Sequence, residues 1–99
     1  MADLSNDIRL AVDSGKVAFG IKEATAAIAD SSAKIVVVAS VNKDGRLHDV
    51  MHMAKISDIK VLVFKGNPAD LGVVCGKPYS VSALSIVNPG SSNILNETY

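Results

Sequence analysis

Apolar positions along the chain switch repeatedly between helical and strand spacing. Leu4, Ile8, Ala11 and Val12 recur every three or four residues, and Gly15 follows where a helix commonly stops. "KVAFG" reads as a short strand closed by Gly20. "IKEATAAIAD" is alanine-rich, with Ala24, Ala27 and Ile28 on one face, and predicts a second helix. "KIVVVAS" is β-branched and apolar at successive positions, so both its faces need cover, as in a central strand flanked by helices and commonly in a parallel arrangement. "DGRLHDVMHMAKIS" presents Leu47, Val50, Met51 and Ala54 as another helical stripe, and "KVLVF" is a strand. In "NPADLGVVCG", Asn67 suits an N-cap, Pro68 the first helical position and Gly76 the stop. "SVSALSIV" is the last strand; Asn88-Pro89-Gly90 then turns the chain into a short, marginal segment, "SSNILN". This alternation predicts an α/β fold, a three-layer α/β/α sandwich of about four strands.

Length and composition narrow the class. A chain of 99 residues without repeats or linkers suits one domain spanning residues 1–99. Ten basic side chains balance ten acidic ones, which argues against a protein living by unspecific attraction to phosphate while leaving local basic patches open. One cysteine gives no internal disulfide framework and fits a reducing compartment. No apolar run is long enough to span a membrane, and "MADLSNDIRL" lacks the pattern of a signal peptide. The expectation is a soluble intracellular domain.

The chemistry gathers in loops. Parallel strands place their carboxyl ends on one edge of a sheet, so the loops after Gly20 and Ala39 are expected side by side. An antiparallel last strand adds "GKPYS" to that edge, an assumption that no residue pattern supplies. These loops hold Lys22, Lys43, Arg46 and Lys77, together with Asn42, Ser80 and Tyr79. The Gly20–Ile21–Lys22 corner adds a helix amino terminus, whose unpaired N–H groups suit a phosphate or a base edge. A cationic rim beside an exposed ring is a common recipe for RNA, in which unstacked bases lie on aromatic side chains. The competing reading of Tyr79 is a half-buried ring with its hydroxyl in water, and each cation singly suits a solvated surface.

The stretches "SGKVAFGIKEA", "KIVVVAS" and above all "DLGVVCGKPYSVSALSIVNPGSSNIL" resemble the family of ribosomal protein thirty of the archaeal and eukaryotic large subunit, in the superfamily of kink-turn RNA binders. The resemblance runs from about Leu4 to Leu95. It implies a mixed four-stranded sheet with an antiparallel last strand, and RNA contacts from the three loops. By this likeness Gly20 and Lys22 match the family's glycine and lysine at the start of the second helix, with Ile21 packing on a base. Glu23 and Thr25 fall on the following turn, while Gly76, Lys77, Pro78 and Tyr79 match the loop whose flat side chain packs on a nucleobase. Departures accompany the likeness. Val41 stands where the family commonly has a base-bonding asparagine, with Asn42 one residue later, so either the loop shifts or that contact weakens. "MHMA" replaces a pair of tyrosines, and Ala26 replaces a lysine or polar residue. A sister family of RNA-modification particles marks this helix start with asparagine-glutamate and then lysine; Lys22-Glu23 followed by Ala26 resembles the ribosomal branch more.

Enzyme readings are weaker. His48 and His52 stand one helical turn apart, a spacing that can hold zinc, but their shared face reads as exposed and no further ligand is evidently committed to it. Cys75, late in a short helix beside Val73 and Val74, reads as a small buried hydrophobe rather than a nucleophile. No phosphate-loop motif and no convergent carboxylate pair occurs. The expectation is a non-enzymatic constituent of the large ribosomal subunit, in the cytoplasm and monomeric when free. It needs no cofactor or metal, contacts no membrane, and binds a kink-turn of ribosomal RNA, with other ribosomal proteins as candidate partners. Two alternatives stand beside it: a kink-turn protein of an RNA-modification particle, and a protein-interaction module on the same fold, marked by a contiguous apolar patch without a basic rim.

Overall fold

The computed structural model describes residues 4–40, 45–92 and 94. Strands and helices alternate as α1 (Leu4–Ser14), β1 (Lys16–Phe19), α2 (Ile21–Ala29), β2 (Ile35–Ala39), α3 (Arg46–Ile56), β3 (Lys60–Phe64), α4 (Pro68–Val74) and β4 (Ala83–Asn88). The sheet has the order β1-β4-β2-β3, with β4 antiparallel to both neighbours and β2 parallel to β3. The mixed four-stranded sheet is as expected, and every residue of β2 is buried, as its unbroken apolar run demands.

Alternate residues of β2 feed opposite layers. Ile35, Val37 and Ala39 pack with Ile8 and Ala11 of α1 and with Leu71 of α4. Val36 and Val38 pack with Ala27 and Ile28 of α2 and with Leu47, Val50 and Ala54 of α3. The small alanine face of α2 lets that helix approach closely, and the Ser85 hydroxyl, fully buried on β4, donates to the carbonyl of Ala24 at 3.1 Å.

Four expectations need correction. Met51 does not belong to the buried stripe of α3; it is exposed, while Met53 packs into the layer. β3 is an edge strand, so among the described residues no strand lies beyond it to cover Met51, and the buried sector of α3 turns towards α2. The last strand starts at Ala83 rather than at Ser80, because the Val81 N–H bonds the carbonyl of Pro68 instead of a neighbouring strand. The tail segment is not marginal where it is described: Ile94 is fully buried in the α1/α4 layer, and the Ser92 hydroxyl donates to the backbone carbonyl of Asp7 at 2.7 Å. Finally, the loops following β1 and β2 are not immediate neighbours, since β4 runs between those strands.

Candidate nucleic-acid interface

That last correction brings the third loop into the centre. β4 is antiparallel to β1 and β2, so its leading loop starts at the edge where β1 and β2 end. Two backbone bonds tie the edge together. The Gly20 N–H donates to the carbonyl of Ala83 at 2.9 Å, and the Ala39 N–H to that of Ser82 at 3.0 Å. The chain ends of β1 and β2 are thereby stitched to either side of one segment.

Gly20 is the N-cap of α2 with φ 94°, a left-handed conformation that side-chain-bearing residues rarely adopt. No atom outside its chain neighbours lies within 4 Å of where its β-carbon would stand, so the backbone here is open to an approaching group. Lys22 and Glu23 are exposed on the first turn; Ile21 is half-buried against the α2/α3 layer. Phe19, Gly20, Ile21, Lys22 and Glu23 line a depression whose far wall is Ser80 and Ser82. Its polar groups suit a nucleotide: an ammonium for phosphate, a carboxylate that accepts from an exocyclic amine, and hydroxyls that do either. The Thr25 hydroxyl donates to the carbonyl of Ile21 at 2.7 Å.

The 76–80 loop returns along α4. Asn67 caps that helix as expected: its side chain accepts from the Asp70 N–H at 2.8 Å while Asp70 accepts from the Asn67 N–H, a reciprocal capping box. The Lys77 N–H donates to the carbonyl of Gly72 at 2.9 Å. Gly76 has φ 72°, and the Arg9 guanidinium lies over its face, where a β-carbon would collide with it. Pro78 and Ser80 are exposed, and Tyr79 is 54% exposed, so about half of its surface is open to solvent. Lys77 is half-buried, with its ammonium 4.8 Å from the centre of the Phe19 ring.

Of the residues singled out in the sequence, Gly20, Ile21, Lys22, Glu23 and Ser80 line the one depression, and the Gly76–Tyr79 run leads into it. Val41, Asn42 and Lys43 lie outside the described residues. Arg46 is the first residue of α3, and only that much of it is described. Sequence reasoning missed Phe19, Ser82 and Arg9. Each acquires its place through pairing between distant segments, and no local pattern marks such a place.

The other candidates resolve differently. Cys75 is buried in the α1/α4 layer, and burial pushes its thiol from an ordinary 9.0 up to about 11, against the opposing pull of Lys77 and Arg9. It is a protonated core side chain at neutral pH, not an activated nucleophile. His48 and His52 are both exposed; among the described residues no cluster of three or more His, Cys, Asp or Glu side chains is set to hold a metal. No described helix is long and apolar enough to cross a membrane.

An open α/β sandwich with a polar, glycine-marked loop edge defines the class, and the sequence comparisons agree with it. Residues 2–96 match the ribosomal protein L7Ae/L30e/S12e/Gadd45 family, and the chain belongs to that family. It is 42% identical over 90 residues to a large ribosomal subunit protein eL30 of Saccharolobus solfataricus, covering 91% of this chain and 83% of the relative. Over 93 residues it is 41% identical to the protein of the same name in Methanothermobacter thermautotrophicus, covering 94% and 95%. With that of Pyrobaculum islandicum it shares 34% over 95 residues, or 96% and 94%. The resemblance to the archaeal-type branch of ribosomal protein thirty is thus shown, and these names are those of ribosomal constituents rather than of enzymes.

Proposed function

We propose that this chain is a structural constituent of the large ribosomal subunit that binds and stabilises a kink-turn in ribosomal RNA. The supporting observation is the convergence, on one edge of the sheet, of the open Gly20 corner, the Ser80–Ser82 wall and the exposed Tyr79 ring. In this reading Lys22 and Lys77 hold phosphates, Tyr79 and Ile21 pack on bases turned out of the stack, and Gly20 admits the RNA to the backbone. Glu23, Thr25, Pro78 and Ser80 are further RNA contacts in this reading, and so are Val41, Asn42, Lys43 and Arg46. Recognition is by shape: the bent RNA presents unstacked bases and closely spaced phosphates at once, which a straight duplex does not. The chain acts as one domain over residues 1–99, monomeric when free, and works in the cytoplasm on the ribosome beside other ribosomal proteins.

A protein-interaction module would call for one contiguous apolar patch. The large apolar side chains left exposed among the described residues are Leu10, Met51, Ile56, Val63, Val73 and Tyr79, which are distributed over α1, α3, β3, α4 and the loop.

The test is a titration against a short kink-turn RNA and against the same RNA with its sheared G·A pairs replaced by Watson–Crick pairs. Strong preference for the kinked form, diminished by Tyr79→Ala and by Lys22→Ala, is the expected result. Equal, weak, salt-sensitive binding to both RNAs, indifferent to Tyr79, would overturn the reading.

A further inference from the structure

The side chains of Lys77 and Phe19 come from different segments of the candidate interface, a loop and the end of β1, yet they meet. The Lys77 ammonium stands 4.8 Å from the centre of the Phe19 ring, inside the range over which a cation is attracted to a ring face. Phe19 is the last residue of β1 and is half-buried against the α1/α4 layer, so its ring is fixed by packing. It is also part of the depression formed by Gly20, Lys22, Ser80 and Ser82. Lys77 begins two residues before the exposed Tyr79, on a loop anchored to Gly72 through its own N–H.

From this arrangement we infer that Phe19 is a positioning residue for RNA binding: its ring holds the ammonium of Lys77 at the mouth of the Gly20–Ser82 depression, ready for a phosphate. The inference rests on the proposed RNA role of Lys77. A free lysine samples many rotamers and loses that freedom on binding. A ring fixed in the sheet removes part of the loss beforehand without neutralising the charge, since a π-face, unlike a carboxylate, leaves the ammonium's donors available for phosphate oxygens. The geometry also links a loop and a strand end through side chains. Lys77 belongs to the segment before β4 and Phe19 to the end of β1, and Tyr79 shares the lysine's loop. A base stacked on Tyr79 and a phosphate on Lys77 are then presented in one fixed relation to the Gly20 corner. Phe19 needs no direct contact with RNA for this role, which distinguishes it from Lys22 and Tyr79.

A double-substitution cycle on the intact chain, read by affinity for the kink-turn RNA at several salt concentrations, tests the inference. Phe19→Leu keeps an apolar side chain but removes the ring. It is expected to weaken binding by about two- to fivefold and to leave the salt dependence unchanged, because Lys77 still reaches its phosphate. Phe19→Trp restores a ring face and with it the affinity. Lys77→Gln weakens binding and lowers the salt slope by roughly one, and in its background Phe19→Leu has no further effect. A merely structural Phe19 would weaken binding equally with or without Lys77, and that outcome overturns the inference. If Lys77→Gln changes neither affinity nor slope, the RNA role of Lys77 has failed instead. A second measurement does not depend on the Leu variant folding. In the unsubstituted protein the Lys77 side-chain protons next to the ammonium should be shifted upfield by the ring current; unshifted protons overturn the placement.

Discussion

The space that a β-carbon on Gly72 would fill is occupied by the carbonyl oxygen of Tyr79. Gly72 lies inside α4, where glycine is ordinarily unfavourable, and it is buried. The close approach explains its presence: the return loop lies directly on the helix, and the Lys77 N–H closes the contact on the Gly72 carbonyl. The backbone of the residue that carries the exposed ring is thus positioned by the absence of a side chain seven residues earlier. Gly72→Ala should force the loop outward against backbone, not against a flexible side-chain tip. A loss of about 1–3 kcal/mol in stability is expected, with weaker kink-turn binding. Gly45→Ala, where a β-carbon meets open space at φ −63°, should change stability by no more than about 0.5 kcal/mol. Urea unfolding of the two variants measures the contrast.

The helix that supports this loop is short, so its cap matters disproportionately. α4 has 7 residues, and the Asn67–Asp70 box satisfies two of its otherwise orphaned N–H groups. Asn67→Ala should cost about 1 kcal/mol, a fall in melting temperature of roughly 4–8 °C for a domain of this size. Thermal unfolding followed by circular dichroism reads it directly.

Local chemistry made α4 legible in the sequence, because Asn67, Pro68 and Gly76 act through neighbours a few residues away. The unbroken apolar run of β2 was equally plain. What escaped depends on pairing. Whether β4 runs antiparallel between β1 and β2 is not written in any periodicity, so neither the central place of the 76–80 loop nor the meeting of Lys77 with Phe19 followed from spacing. Met51 illustrates the same limit: helical spacing put it on the apolar face, but its exposure follows from β3 being an edge. The candidate RNA residues were found in part through loop composition and in part through family resemblance, which also supplied the strand direction.

Ile94 carries the clearest consequence beyond the last strand. It is fully buried, in the core layer under α1 and α4 that also holds Ile8, Val81 and Ile86. The Ser92 hydroxyl on the Asp7 carbonyl fixes the approach. Ile94→Ala should therefore destabilise by about 2–5 kcal/mol, far beyond the effect of an exposed terminal position. A shift of less than about 0.5 kcal/mol in chemical denaturation would mean that the segment does not pack there.

Cys75 predicts a pH dependence with a definite sign. Burial raises the folded-state thiol from 9.0 to about 11. Between those values the unfolded chain has released the proton and the folded one has not, so this group's contribution is complete below pH 9 and declines as pH rises towards 11. The informative quantity is a difference between variants, which isolates this one group. The stability gap between the unsubstituted protein and Cys75→Ala should narrow from pH 8 to pH 10.5, measured by urea midpoints. A gap that stays constant would show that the thiol titrates alike in both states.

Lys22 and Tyr79 should separate in salt. Both belong to the proposed interface, but one offers charge and the other a ring. An ammonium on a phosphate releases a counterion, so Lys22→Ala should reduce the slope of log affinity against log salt by roughly one. A base stacked on a ring is worth about 1–3 kcal/mol and releases none. Tyr79→Ala should therefore lower affinity by a similar factor at every salt concentration, leaving the slope intact. Tyr79→Phe should retain most of the affinity, since stacking uses the ring face and not the hydroxyl. Titrations of these three variants across a salt series make the comparison. A slope that falls with Tyr79→Ala as much as with Lys22→Ala would mean that the loop has moved away from the RNA altogether, and that the ring's role is to hold it in place.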